Sequence, residues 1–444
     1  MPKPKFILAL LCFLAVGSSA LADPPTAQSP PTAVPEAFKQ SPGDNAWMLT
    51  SSALVLMMTI PGLALFYGGL VRTKNVLSVL MQCIGAVGLI SLHWFVVGYS
   101  LAFSDGRFVG GFDWVLLNGV EPDAATPFGY ADHIPHQLWM VYQLMFAIIT
   151  PALICGAFAE RVKFSGVALF LVLWSTFVYD PLAHWVWGSG GFLRNADKNP
   201  WGALDFAGGT VVHVSSGVSA LVCALYLGKR RGYLKEPMPP HSMVSTFLGA
   251  AMLWVGWFGF NAGSAGEANG AAVSAFCNTH FATAAAAVAW SLAEYFARGK
   301  ASALGAASGA VAGLVAITPA CGFVTIRASV LIGLAAGLVC FFACTTVKNA
   351  FKYDDSLDAF GVHGVGGMLG ALLTGVFATT VSDLGRGRQI LNQLAAIGAA
   401  TLLAAVGTFI LLVIVNATVG IRVKESDEIE GLDLTQHGEA GYHY

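Results

Sequence analysis

The sequence predicts an all-α integral membrane protein with eleven transmembrane helices. They form two five-helix inverted repeats (spans 1–5 and 6–10) and a long eleventh helix, with the N-terminus out and the C-terminus in. Three observations carry that expectation. Of 444 residues, 56% are hydrophobic and only 11% charged, where soluble domains run to about a quarter charged. Apolar stretches recur from residue 46 to residue 420, and about 20 such residues span roughly 30 Å of hydrocarbon. Finally, the fifth and tenth of these stretches carry the same short histidine motif.

Residues 1–22 read as a secretory signal peptide: Lys3 and Lys5, an apolar run from Phe6 to Val16, then small residues closing on Ala20-Leu21-Ala22. The run is about half the length a bilayer span needs, so cleavage is favoured over an uncleaved first helix. Cleavage removes 22 of the 444 residues, leaving 422, and two lysines, so the formal net charge goes from −2 to −4. Residues 23–45, rich in Pro, Ser and Thr, form an extracytoplasmic leader. The transmembrane domain, 46–420, then divides into spans at 46–70, 77–101, 136–158, 166–187, 207–227, 243–262, 271–296, 301–318, 328–347, 358–379 and 389–420.

Charge supports this orientation. Fourteen basic residues fall on the segments placed in the cytoplasm: Arg72, Lys74, Arg161, Lys163, Lys229, Arg230, Arg231, Lys235, Arg298, Lys300, Lys348, Lys352, Arg422 and Lys424. Seven fall outside: Lys39, Arg107, Arg194, Lys198, Arg327, Arg386 and Arg388. The excess on one side is what the positive-inside rule requires. The last segment, 421–444, is a cytoplasmic tail with two basic and six acidic residues, while 229–236 holds four basic residues against Glu236. Opposite charge predicts that the tail docks on this basic face.

The near balance of 23 basic and 25 acidic residues excludes a nucleic-acid-binding surface, and the composition excludes disordered acidic and collagen-like chains. Seven cysteines beyond the signal lie mostly within apolar runs without a CxxC pair, so neither a disulfide framework nor a metal site is expected. Ten histidines invite a haem reading, but no CxxCH or HExxH motif accompanies them.

Polar residues inside spans are costly and therefore informative. Val212-His213-Val214-Ser215-Ser216-Gly217 in span 5 and Val362-His363-Gly364-Val365-Gly366-Gly367 in span 10 share VHxxxG, each with an aspartate upstream, Asp205 and Asp358. Both aspartates are expected to cap the start of their spans. Five spans per repeat is odd, so the second repeat is inverted, an arrangement that places its central site near the bilayer midplane. One buried histidine is more often structural than functional, but two at matched positions favour function. Brought together, one imidazole N–H donates to the bare nitrogen of the other. Burial and mutual repulsion keep such a pair neutral, able to relay a proton. His93, His184 and His280 lack repeat partners and are read as structural, and Asp180 before Pro181 as satisfying a broken helix.

Longer motifs sharpen the picture. Leu204 to His213 (LDFAGGTVVH), Gly256 to Ser264 (GWFGFNAGS), Thr318 to Gly322 (TPACG), Phe360 to Val365 (FGVHGV), and the tail's Glu430-Gly431-Leu432-Asp433 and His437-Gly438-Glu439 resemble the ammonium transporter (Amt/MEP/Rh) family, its bacterial branch in particular, over residues 46–444. The resemblance implies a homotrimer in a bacterial inner membrane, one narrow pore per subunit, no enzyme activity and no cofactor. A PII-type signal protein at the cytoplasmic mouth and a regulatory tail are also implied. Carried over residue by residue, Trp187 and Ser264 correspond to the outer recruitment site with Asp205 nearby, Phe260 and Tyr142 to the aromatic gate, His213 and His363 to the twin histidines, and Trp257 and Thr318 to further pore lining. Tyr142 stands where members usually have Phe, and the segment from Trp187 to Asp205 is longer than in compact members.

These residue types suit ammonium. An aromatic face attracts ammonium and potassium alike, by about 0.5–2 kcal/mol, whereas a serine hydroxyl accepts an N–H bond that potassium cannot offer. Ammonium can also leave a proton behind and cross an apolar lumen as ammonia. A sensor or signalling scaffold on the same fold is the alternative expectation. An intramembrane haem enzyme, a third class, predicts a coloured protein.

Overall fold

A computed structural model describes residues 38–195, 199–381 and 385–442. The expected signal peptide and most of the leader lie outside the described residues. Among these, ten helices are long and apolar enough to cross a bilayer: α1 (Pro42–Leu70), α2 (Thr73–Phe103), α3 (His136–Phe158), α4 (Phe164–Trp187), α5 (Gly209–Leu227), α6 (Met243–Ala265), α7 (Gly270–Arg298), α9 (Ile326–Phe351), α10 (Phe360–Phe377) and α11 (Gly385–Thr418). The eighth expected span is shorter: α8 covers Ala303–Ile317, 15 residues, about 22 Å of helix. It ends because Pro319 has no N–H to continue the ladder. By length and composition, ten of the eleven expected spans are long enough to cross among the described residues.

Local sequence sets the helix starts. Side chains of Ser41, Ser242, Asn269, Ser302 and Thr325 accept N–H groups in the first turns of α1, α6, α7, α8 and α9, a contact generally worth about 1 kcal/mol each. Both α5 and α10 open with a wide π-helical turn, Gly209–Val214 and Phe360–Gly364, and these turns carry the two motif histidines. Wider turns of this kind recur at functional sites. Gly208, at φ +110°, makes the left-handed step into the first of them, a step that costs glycine little. Where α5 crosses α10, a Cβ on Gly217 would collide with the Gly364 backbone, and one on Gly367 would lie 2.9 Å from the His213 Cβ. The fourth-position glycines of VHxxxG thus let the two helices touch at the histidines.

The tail is docked, but not chiefly through the charges of segment 229–236. Arg231 makes an exposed pair with Glu425 at 3.3 Å. Arg230 turns inward, to Asp354 at 2.8 Å and Glu160 at 2.9 Å. Backbone bonds carry the docking: Lys163 N–H to Ile421 O (2.8 Å) and Val423 N–H to Arg161 O (3.1 Å). Asp433 accepts the Ser78 N–H at 2.8 Å in the first turn of α2, and Asn75 accepts the Leu432 N–H at 2.9 Å. Glu428 receives Arg422 at 2.6 Å and the Arg231 N–H at 3.0 Å. Beneath the tail, burial opposes charge on Glu160 and Asp354, yet Arg230, with Arg72 for Glu160 and Arg161 for Asp354, holds both carboxyls below their usual range.

Candidate functional site

Two helices supply matching stripes. On α3, Tyr142, Phe146, Ile149 and Leu153, and on α6, Leu253, Trp257, Phe260 and Ser264, follow the same spacing of four, seven and eleven residues, which keeps a stripe on one helix face. The stripes meet at Phe146 and Phe260, whose ring centres lie 4.3 Å apart, tilted 38°. Here the structure departs from the expected gate pair. Tyr142 lies one turn away, edge-on to Phe146 at 5.1 Å. Its hydroxyl lies 3.0 Å from the carbonyls of both Gly259 and Phe260 and 3.2 Å from the Ser264 hydroxyl. The residue facing Phe260 is Phe146, a position whose signal, i+4 from Tyr142 on the same face, was present in the sequence.

Below the rings sits a small apolar cavity bounded by His213, Trp257, Phe260 and His363, with Ile149 and Leu153 opposite. His213 and His363 meet Nδ1 to Nδ1 at 3.3 Å, both buried. His213 stacks on Trp257 at 5.5 Å and lies 6.0 Å from Phe260. Trp257 is fixed in turn: its Nε1 donates to the Thr318 hydroxyl at 2.9 Å, which donates to Leu314 O at 2.8 Å. The Nε2 of His213 has no protein partner among the described residues, so it is left for the lumen.

Open cavities lie on either side. One, about 180 Å³, is bounded by Phe66, Trp290, Ser308, Asp358 and His363. The other, about 230 Å³, is bounded by Trp139, Gln143, Phe146, Trp187, Asp205 and Ser264. Ser264 donates to Phe260 O at 2.8 Å and Trp187 Nε1 to Asp205 O at 3.0 Å. Gln143, missed by sequence reasoning, is buried, its Oε1 without a hydrogen-bond partner among the described residues. The order along the molecule is therefore open cavity, two phenyl rings, two imidazoles, open cavity.

Capping fixes the height of each histidine. Asp205 accepts N–H groups from Gly208 (2.9 Å), Gly209 (2.5 Å), Thr210 (2.8 Å) and Val211 (3.3 Å), and the Thr210 hydroxyl. The corresponding cap on α10 is Asp355, not Asp358: Asp355 accepts from Ala359 at 3.1 Å and Phe360 at 2.7 Å. Asp358 instead pairs with Lys348 at 2.6 Å, from a left-handed backbone. The repeat itself carried the signal, since Asp355 precedes His363 by the same eight residues that separate Asp205 from His213. Burial, reinforced by Asp358 and opposed by Lys348, pushes the Asp355 carboxyl up to about 6. Asp180 makes no cap either; its carboxylate lies 3.4 Å from His93 Nε2. His184 is buried against the carbonyls of Ala102 and Gly106, in keeping with a structural role.

Comparison with known proteins follows the same lines. Residues 46–442 match the model of the Ammonium Transporter Family. The chain is 48% identical over 409 residues to the ammonium transporter of Bacillus subtilis, covering 90% of this chain and 98% of the relative. Among solved structures, Mep2 of Saccharomyces cerevisiae superposes with a TM-score of 0.78 at 37% identity, over 89% of this chain and 92% of that one. A structure named Sensor Amt Protein superposes with a TM-score of 0.81 at 26% identity, over 89% and 98%.

Proposed function

The chain belongs to the ammonium transporter family, and from that premise we propose how it moves its substrate. Ammonium is recruited at Trp187 and Ser264, with the buried Asp205 holding the site open. It passes the Phe146 and Phe260 rings, gives up its proton and travels as ammonia along His213 and His363, with Trp257 and Thr318 keeping His213 in place. The proton follows or stays behind. One observation carries this: two imidazoles in direct nitrogen contact, at 3.3 Å, span an apolar constriction between two open cavities. A bare cation entering such a constriction loses its hydration without gaining a counter-charge. Ammonia crosses as a neutral species that donates to and accepts from ring nitrogens.

The same reading takes the architecture as eleven crossings in two inverted repeats, N-terminus out. Support comes from α8, which runs from Leu304 and Ser308 at one open cavity to Thr318 beside Trp257 and Pro319 against Gly209, toward the other cavity. Matched spacings of eight residues from aspartate to histidine and four from histidine to glycine support the repeat. The tail shares its face with Lys74, Arg161, Lys163 and Arg231, a basic surface proper to the cytoplasm. A homotrimer in a bacterial inner membrane, regulated through its tail by a PII-type protein, completes the proposal. It rests on family membership, as does a sensing role like that named for the sensor Amt neighbour.

Purified protein in liposomes tests the mechanism. An inward ammonium gradient should drive ammonia flux, and a matched potassium gradient should drive none. Equal conduction of potassium would refute the deprotonating pore.

A further inference from the structure

The cavity beside Trp187 contains a positive charge that cation recruitment does not require. Among the described residues two charged side chains bound it, Asp205 and Arg194. The carboxylate of Asp205 is already engaged by four backbone N–H groups and a hydroxyl. The guanidinium of Arg194, in contrast, lies over the Tyr130 ring, 5.1 Å from its centre. Tyr130 stacks in turn on Trp139, 5.6 Å away and within 8° of parallel, so cation, phenol and indole form one pile on the cavity wall. The tyrosine hydroxyl and the backbone that carries the arginine are both held. The Tyr130 hydroxyl donates to Phe103 O at 2.8 Å and accepts the Ser189 N–H at 2.6 Å. Arg194 donates its N–H to Gly191 O at 3.1 Å, and its carbonyl accepts from the Asn199 side chain at 2.7 Å. The adjoining Ala203 N–H closes back on Leu193 O at 2.9 Å. Among the described residues no ion pair neutralises Arg194.

We propose that Arg194 is a specificity-determining residue of this vestibule: its guanidinium, seated on the Tyr130 ring, occupies one aromatic face of the cavity and limits, by charge repulsion, how much ammonium the recruitment site holds. Two effects act in the same direction. The Tyr130 face, which would otherwise attract ammonium, is taken, so the permeant cation is confined to Trp187. A like charge across a water-filled cavity also raises the half-saturating concentration about two- to fourfold. The segment from Trp187 to Asp205 that carries Arg194 therefore tunes affinity without touching the pore. This inference rests on ammonium being the transported cation.

The test is ammonium flux into liposomes containing the full chain, at low and high concentrations of an inert salt, for wild type, Arg194→Gln and Arg194→Lys. R194Q should lower half-saturation about two- to fourfold at low salt with an unchanged maximal rate. R194K should match wild type, and high salt should erase the gap by screening. Identical half-saturation for R194Q and wild type at low salt overturns the proposal. A gap that survives high salt, or R194K behaving like R194Q, also overturns it, because shape rather than charge would then be responsible. Loss of maximal rate in R194Q with R194K intact assigns Arg194 a structural role and equally overturns it. Wild-type protein that carries no ammonium defeats the transport reading instead.

Discussion

His213 and His363 face each other through the same ring atom, Nδ1 to Nδ1, at 3.3 Å. Two neutral imidazoles hold two N–H groups, and one of them must lie between the rings. If His363 donates, His213 carries its own hydrogen on Nε2, and the Nε2 of His363 is bare; the reverse holds if His213 donates. The pair therefore always shows the lumen one donor and one acceptor; exchanging them takes the shared proton across the contact together with loss of a proton from one Nε2 and uptake of a proton at the other. Ammonia, with three N–H groups and one lone pair, is served by both. His213→Ala removes the contact and the polarity, so ammonium flux should fall on the order of tenfold or more, with potassium current emerging. Unaltered flux and selectivity in the liposome assay would defeat the assignment.

Tyr142 braces the Phe146 and Phe260 pair, packing edge-on to the first and bonding the carbonyl of the second. Its hydroxyl reaches the Gly259 and Phe260 carbonyls and the Ser264 hydroxyl. Tyr142→Phe should cost about 1 kcal/mol of stability for the lost hydrogen bond and raise half-saturating ammonium, because Ser264 loses a neighbour that orients it. Thermal unfolding and flux titration measure both. Half-saturation identical to wild type would show that the hydroxyl serves the fold alone.

Asp355 gives stability a pH signature. Its carboxyl is pushed up to about 6 by burial, against about 3.9 in an unfolded chain. A carboxyl raised on folding stabilises when protonated: the contribution is complete below about pH 4 and is lost as pH rises through about 6. Glu160 and Asp354, held below their usual range, work oppositely and act below that window. Relative to Asp355→Asn, the wild-type unfolding temperature should fall between about pH 4 and 7. A constant gap across the series would sink this.

Tail docking separates a buried contact from an exposed one. Glu428 is almost fully buried and takes Arg422 at 2.6 Å, while Arg422 also reaches Lys229 O at 2.8 Å. The Arg231–Glu425 pair is exposed on both sides and is worth about 0–1 kcal/mol. Limited proteolysis should cut the tail of Arg422→Ala and Glu428→Gln readily and leave that of Glu425→Gln as protected as wild type. Equal protection in all three would mean that backbone bonds alone hold the tail.

Most of this was legible wherever the sequence repeats itself or alternates with a period. Apolar period and length located the spans, and a duplicated VHxxxG located the histidines. What the sequence hid were choices between near neighbours. Tyr142 and Phe146 share a helix face, and only the height at which α3 meets α6 decides which ring faces Phe260. Asp355 and Asp358 both precede His363, and the nearer one was expected to cap although the farther one keeps the repeat offset. The α8 helix stops short because Pro319 removes a donor, which apolar composition does not register. For the tail, net charge foresaw docking but not that backbone groups, with Asp433 seated at the start of α2, would carry it.

The crossing of α5 and α10 bears on how fast such a molecule can work. Gly217 lies so close to the Gly364 backbone that an added methyl group would already collide, and the contact lies four residues from His213 and one from His363. Helices interlocked this tightly have no slack for rocking past one another at that height. Turnover is then not tied to the microsecond-to-millisecond excursions of whole domains. The proposed route then asks only for the swing of two phenyl rings and the transfer of a proton, movements of side chains against a scaffold that need not rock at that height.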